Sequence, residues 1–288
     1  MTSSPGAAVV AAAKAQHHPA RPGSLAELFQ FRQLVALLVS RELKVRYKRS
    51  VLGLVWTMLN PLLLMVVYTV VFTTIMPAAM PDFSIFLLAG LLPWLFVSTA
   101  ILQGMSAVLG NQDLIRKIRL PQAVFPLSVV GSNLVNFVLS VFPLLGVMLV
   151  IGHPLTPALF FLPVAALVIT CFAAGLTLVF ASATVFYRDV RHLTEVMLQI
   201  LFYLSPVLFS PEQIGQGASA KAWWLPAFRA VLDLNPLTYL LPLVRDPVYR
   251  GVLPPASTLA TATIAAAVSL VAGYTIFRKL EPRHIHHF

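Results

Sequence analysis

Apolar residues run in long blocks along this chain, and the polar ones gather between them. No Asp, Glu, Lys or Arg falls within 50–81, 83–112, 120–187 or 251–277. A helix crosses a bilayer core with about 20 apolar residues, so each run can span once and the third can span twice. Gly152, His153 and Pro154 break that third run with a turn that neither flanking helix could continue. The pattern predicts six spans, at 54–76, 84–108, 125–151, 155–186, 192–210 and 257–277. The fifth is the least regular, with Glu195 near its start and Pro206 inside it. Short segments of alternating polarity, the mark of a spanning β-barrel, are not visible. The expected fold class is therefore an all-α integral membrane protein, its spanning domain covering 50–277.

Two segments match neither spans nor plain loops. Ser24 and Glu27 have capping-box spacing, and Leu28, Phe31, Val35 and Leu38 follow at helical intervals, opposite Gln30, Gln33, Arg41, Lys44 and Lys48. This predicts an amphipathic helix over 24–49 lying along a membrane surface. The other segment, 211–250, mixes Trp223, Trp224, Phe228, Tyr239 and Tyr249 with prolines and scattered charges. Short helices at the opposite interface fit it, with the aromatic rings at headgroup level. Residues 1–23 are rich in Ala, Pro, His and Ser and have no apolar signal core, so a disordered tail without a cleaved signal is expected there, and a second tail over 278–288.

Composition agrees with the pattern and adds an orientation. The chain is 58% hydrophobic and 10% charged over 288 residues, with a mean hydropathy of +0.85, too apolar for a soluble domain of this length. Basic residues resist translocation, and all of them fall before the first span or in loops on that same side except Lys221, Arg229, Arg245 and Arg250. Both termini are thereby expected in the cytoplasm. Cys171 is the single cysteine and can form no intrachain disulfide. His17, His18, His284, His286 and His287 sit in the expected tails without acidic or thiolate companions, so no metal site is expected and they are read as solvated.

Three groups of residues are candidates for function. Arg41, Lys44, Arg46, Lys48 and Arg49 face the single acid Glu42 and could dock an anionic lipid headgroup, each contributing about 1 kcal/mol near a membrane surface. An ordinary positive-inside flank would look the same. Between the second and third spans, in the loop 111–120, Asp113, Arg116, Lys117 and Arg119 accompany Leu114, Ile115 and Ile118, a short charged helix that could seat on a partner or simply hold topology. Trp56, Tyr68, Phe72, Phe86, Trp94, Phe96, Phe202 and Tyr203 lie in the first, second and fifth spans, where aromatic faces could guide a sugar polymer or pack against lipid and core. The chain has no G-x-x-x-x-G-K-[ST] loop, so ATP cannot be hydrolysed here by P-loop chemistry. No expected span carries a carboxylate near its middle, which argues against proton coupling.

Residues 41–61, RELKVRYKRSVLGLVWTMLNP, resemble the N-terminal signature of ABC-2 type permeases that export O-antigen, teichoic acid and related polysaccharides. NQDLIRKIRLPQAVFP, 111–126, is similar to that family's loop after the second span, and NPLTYLLPLVRDPVYRG, 235–251, to its outer segment before the last span. With the six-span hydropathy the resemblance covers roughly 24–283. It implies a homodimer in the bacterial cytoplasmic membrane, an N-terminal helix that admits a lipid-linked polysaccharide, and a coupling helix in 111–120 that touches two copies of a separate ATPase subunit. ATP and Mg would then be held by that partner and no cofactor by this chain, with membrane lipids as neighbours and no nucleic acid. Two other readings stand beside it: an ABC-2 permease for a drug or small lipid, and a membrane enzyme acting on polyprenyl phosphates. The second would want clustered acids at a membrane face, whereas Asp189, Glu195 and Asp246 are scattered.

Overall fold

The computed structural model describes residues 31–48, 53, 55–71, 81–117, 120–214 and 223–284. Among these residues the secondary structure is helical, with no strand. In chain order the helices are α1 (Arg32–Tyr47), α2 (Val55–Val70), α3 (Phe83–Gly104), α4 (Gln112–Lys117), α5 (Val124–Ile151) and α6 (Leu162–Phe186). They continue with α7 (Val190–Tyr203), α8 (Leu225–Leu234), α9 (Leu237–Leu240), α10 (Pro242–Arg245) and α11 (Ala256–His284). Four helical stretches are long and apolar enough to cross a membrane: Phe83–Gly104, Val124–Ile151, Pro157–Phe186 and Ala256–His284. The last turn before α6, Pro157–Phe161, is a 3-10 turn that extends the third of these.

α3 is the buried centre of the bundle, while α5 and α11 expose most of their surface. The reason is side-chain size as well as hydropathy. Gly175 of α6 lies against the backbone of Gly273 and Ser269 on α11, and Gly104 of α3 lies against Thr177 of α6, so a Cβ at any of these glycines would collide. Apolar helices in lipid gain little from hiding apolar surface, and small residues that let backbones approach supply the packing instead. The Ser269 hydroxyl reinforces the α6–α11 pair by donating to the Phe172 carbonyl at 2.9 Å.

The turn between α5 and α6 falls where the sequence predicted it. Gly152 takes a left-handed φ of 81°, and the His153 N–H closes on the Met148 carbonyl at 2.8 Å. His153 then bridges the Asp82 carboxylate at 2.9 Å and the Tyr249 carbonyl at 3.1 Å, joining this turn to the start of α3.

Several expectations are revised. The fifth predicted span, 192–210, is a helix of only 14 residues, α7, which stops at Tyr203 and gives way to turns. Pro206 has no N–H to continue the helical ladder, and the carbonyls of the turns beyond Tyr203 are taken by side chains from elsewhere. Asn235 donates to the Leu204 carbonyl at 3.2 Å, and the Arg245 guanidinium to the carbonyls of Pro206 at 2.7 Å and Val207 at 2.9 Å. In a medium without water such partners are what allow a helix to break. The first predicted span, 54–76, appears as α2, ending at Val70, and residues 72–80 lie outside the described set.

The segment 211–250 also divides. Trp223, Trp224, Val231 and Leu234 are exposed, as an interfacial piece requires, but Leu237, Leu240, Leu241, Leu243, Val244 and Val248 are buried in the main core. Finally α11 does not stop at Phe277: it runs on to His284, and His284 is wholly buried rather than solvated. His286 and His287 lie outside the described residues, as do His17 and His18.

Candidate functional site

A cleft of about 440 Å³, apolar over much of its wall but carrying several amides and an arginine, lies between the end of α1 and helices α2, α3 and α5. Its walls come from helical stripes: Leu92, Phe96, Thr99 and Gln103 on α3, Asn133, Asn136, Phe137 and Ser140 on α5, and Trp56 with Asn60 on α2. Spacings of three and four put each set on one helix face. The last turn of α1 contributes Arg46 and Tyr47. α1 is held there by Leu34 and Leu38, both buried against α5 and its neighbours, while Val39 meets the bare backbone at Gly131.

The polar groups form a three-residue network and, beside it, a separate pair. Arg46 donates through Nη1 to Asn133 Oδ1 at 3.3 Å and through Nη2 to Gln103 Oε1. Asn133 Nδ2 donates to the same Gln103 oxygen at 3.0 Å and to the Val129 carbonyl at 2.9 Å. Tyr47 donates its hydroxyl to Asn136 Oδ1 at 3.1 Å. Phe96 and Phe137 stack at 5.4 Å beneath it. Among the described residues Arg46 meets amide oxygens and no carboxylate, so its charge is oriented but not cancelled. A cation held in that way, beside amides, hydroxyls and flat aromatic walls, suits an anionic group attached to a sugar or a similar polar body.

Of the predicted basic group, Arg46 alone among the described members lines the cleft. Arg41 instead binds Asn111 Oδ1 at 2.9 Å and pairs with Glu42 at 3.5 Å. Lys44 and Lys48 are exposed, and Arg49 lies outside the described residues. The aromatic set is likewise dispersed. Trp56 and Phe96 border the cleft; Tyr68, Trp94, Phe202 and Tyr203 form a chain of ring contacts across α2, α3 and α7. Phe86 is buried beneath the Arg245 guanidinium, 3.9 Å from its ring centre, and Phe72 lies outside the described residues. The residues that sequence reasoning missed are Gln103, Asn133, Asn136 and Ser140. Their signal was present: three amides and a hydroxyl in otherwise apolar helices, at spacings that put those of α5 on one face.

The loop after the second span does carry a short helix, α4, but its apolar residues turn inward. Ile115 is buried among Leu34, Val108, Leu120, Val185 and Phe277, and Leu114 packs at the edge of that cluster. Asp113 and Arg116 are exposed. The Lys117 side chain, Ile118 and Arg119 lie outside the described set. A second cavity, about 480 Å³ between α3, α6, α7 and α8, has an almost wholly apolar lining that includes Trp94, Phe172 and Leu201.

Residues 33–249 match the model of the ABC-2 type transporter family. The chain belongs to that family. It is 38% identical over 87% of its length to an O-antigen export system permease protein of Myxococcus xanthus, of which 94% is covered. An O-antigen export system permease protein of Klebsiella pneumoniae is 27% identical over 87% of this chain and 93% of its own. A polysialic acid transport protein of Escherichia coli is 24% identical over 86% of this chain and 93% of its own. This ABC-2 chain is therefore a membrane permease component and not itself a catalyst. Its matched region takes in the cleft, α4 and the 237–249 segment together.

Proposed function

We propose that this ABC-2 permease exports a lipid-linked polysaccharide, such as an O-antigen or a related envelope glycan, across the bacterial cytoplasmic membrane. The observation that carries the reading is the Arg46 cleft, which places a cation without a carboxylate partner among side-chain amides at the junction of α1 with the spanning bundle, within a chain whose relatives are named for O-antigen export and polysialic acid transport. In this reading α1 lies along the cytoplasmic surface, α2 and α7 complete a set of six spans, and both termini are cytoplasmic, an orientation that the distribution of basic residues supports. The lipid phosphate rests at Arg46 while the glycan proceeds through a path formed by two copies of the chain. Energy comes from two copies of a separate ATPase subunit that holds ATP and Mg and docks against α4. Because Ile115 packs inward, that docking uses the exposed face of Asp113 and Arg116. A permease for a drug or small lipid would have less use for the amide-rich cleft and more for the apolar cavity.

The test is reconstitution of the chain with its ATPase in proteoliposomes, measuring ATP-dependent appearance of a lipid-linked glycan on the far side. Arg116→Glu should weaken assembly or uncouple hydrolysis from export, since a like charge at a docked surface costs several kcal/mol. Hydrolysis stimulated by an apolar drug and not by the glycan would replace this function with the alternative.

A further inference from the structure

The segment that leaves α4 is not held by α5 alone. Pro121 and Gln122 precede the first turn of α5, and the end of α11 grasps them. The Gln122 backbone N–H donates to Glu281 Oε1 at 2.6 Å, and its side-chain Nε2 approaches the Glu281 carbonyl at 3.5 Å. Gln122 Oε1 accepts from His284 Nδ1 at 2.8 Å, and His284 Nε2 meets the Ser182 hydroxyl of α6 at 2.9 Å. Phe277 and Phe186 close over the imidazole at 5.3 and 5.4 Å. Gln122, Ser182 and His284 are all buried, with exposures of 4%, 0% and 0%. Burying three polar side chains at the end of a long helix is costly unless they satisfy one another, and the matched set then defines one geometry.

We propose that His284 and Glu281 are positioning residues that fasten the exit of the α4 segment to the α6–α11 pair, so that a displacement of α4 moves those two helices as a block. The inference rests on the docking of an ATPase at α4. The other end of the segment is tied separately, by Arg41 to Asn111, to α1. α6 and α11 touch backbone to backbone at Gly175 and Gly273, which leaves little room for one to slide without the other. Ile115, Leu120, Val185 and Phe277 belong to one buried cluster, which connects α4 to the helix pair through packed side chains. A junction of side-chain hydrogen bonds suits this task because it resists separation while tolerating small rotations.

The experiment uses the full chain with its ATPase subunit in proteoliposomes and reads glycan exported per ATP hydrolysed, alongside the amount of assembled complex. His284→Phe keeps the ring packing and removes both hydrogen bonds; His284→Asn keeps a donor where Nδ1 faces Gln122. Glu281→Ala removes the acceptor for the Gln122 N–H; Glu281→Gln retains one. His284→Phe and Glu281→Ala should assemble and hydrolyse ATP, with export per ATP reduced by about twofold to thirtyfold, and the Asn and Gln variants should recover most of it. Unchanged export per ATP in His284→Phe and Glu281→Ala overturns the proposal. So does an equal loss in the conservative variants, and so does failure of both disruptive variants to accumulate, which would make the junction a support of the fold only. Docking is checked independently with Asp113→Cys in a Cys171→Ser background: no crosslink to the ATPase would remove the docking reading whatever the junction variants do.

Discussion

Arg46 and Arg245 both reach in among the helices, and their surroundings treat them in opposite ways. Arg245 is 5% exposed and spends its guanidinium on two backbone carbonyls left open by the break after α7, with Phe86 beneath it and no room beyond Gly90. Every contact serves the chain itself. Arg46 is half-buried at a cleft, fixed by the side-chain oxygens of Gln103 and Asn133, with volume left beside it. The first arginine completes a backbone that would otherwise be unsatisfied; the second is held still with its charge unspent. A buried arginine in an apolar bundle is thus not by itself a sign of a substrate site. What separates the two is whether its partners are carbonyls that need it or amides that merely aim it.

The largest test of that difference is removal of the Arg245 cap. Arg245→Leu leaves the Pro206 and Val207 carbonyls unpaired and should lower stability by about 3 kcal/mol or more, since a hydrogen bond from a charged donor contributes about 1.5–3 kcal/mol. A thermal midpoint in detergent equal to that of the unaltered chain would erase the distinction. Next in size, Gly90→Ala places a methyl group against the Arg245 guanidinium and should cost about 1–3 kcal/mol. That cost should shrink in the Arg245→Leu background, where the obstacle has gone; strict additivity of the two midpoints would show that Gly90 is constrained by something else. The smallest effect on the fold is expected at the cleft. Arg46→Gln should cost about 0.5–1.5 kcal/mol, the net contribution of one hydrogen bond to a neighbouring amide. Its affinity for vesicles or detergent micelles bearing an anionic lipid phosphate should fall about fivefold, the equivalent of roughly 1 kcal/mol, and the deficit should narrow as salt is raised. A stability loss as large as that of Arg245→Leu would make Arg46 a structural residue too.

Much of this was legible along the chain because it depends on spacing and polarity alone. The charge-free runs gave four spanning helices within a few residues, and Gly152 with Pro154 marked the turn between α5 and α6, where only a residue free of a Cβ adopts the needed φ readily. The fifth predicted span proved shorter as a helix than the sequence suggested: Pro206 signals a break without saying what satisfies the carbonyls beyond it, and the answer came from Arg245, almost forty residues on. The 237–248 stretch was read as interfacial from its prolines and charges, yet its leucines are core. The α4 loop was located correctly as a short helix, but which of its faces is free depends on Leu34 and Phe277, from the two ends of the chain. His284, expected to be solvated, is buried because α11 continues past its apolar run and delivers the imidazole between Gln122 and Ser182.

What the sequence determined by itself was the solvent of this protein, the place of its four long apolar helices, and its family, since bilayer thickness and helical rise convert length and hydropathy directly into spans. What tertiary structure alone decided was the use of each polar residue within that frame. Helices packed by glycine and serine bring side chains from distant positions into contact, and in an apolar medium a polar group's role follows from the partner that meets it: carbonyls for Arg245, aimed amides for Arg46, and for His284 the two helices and one loop that it joins.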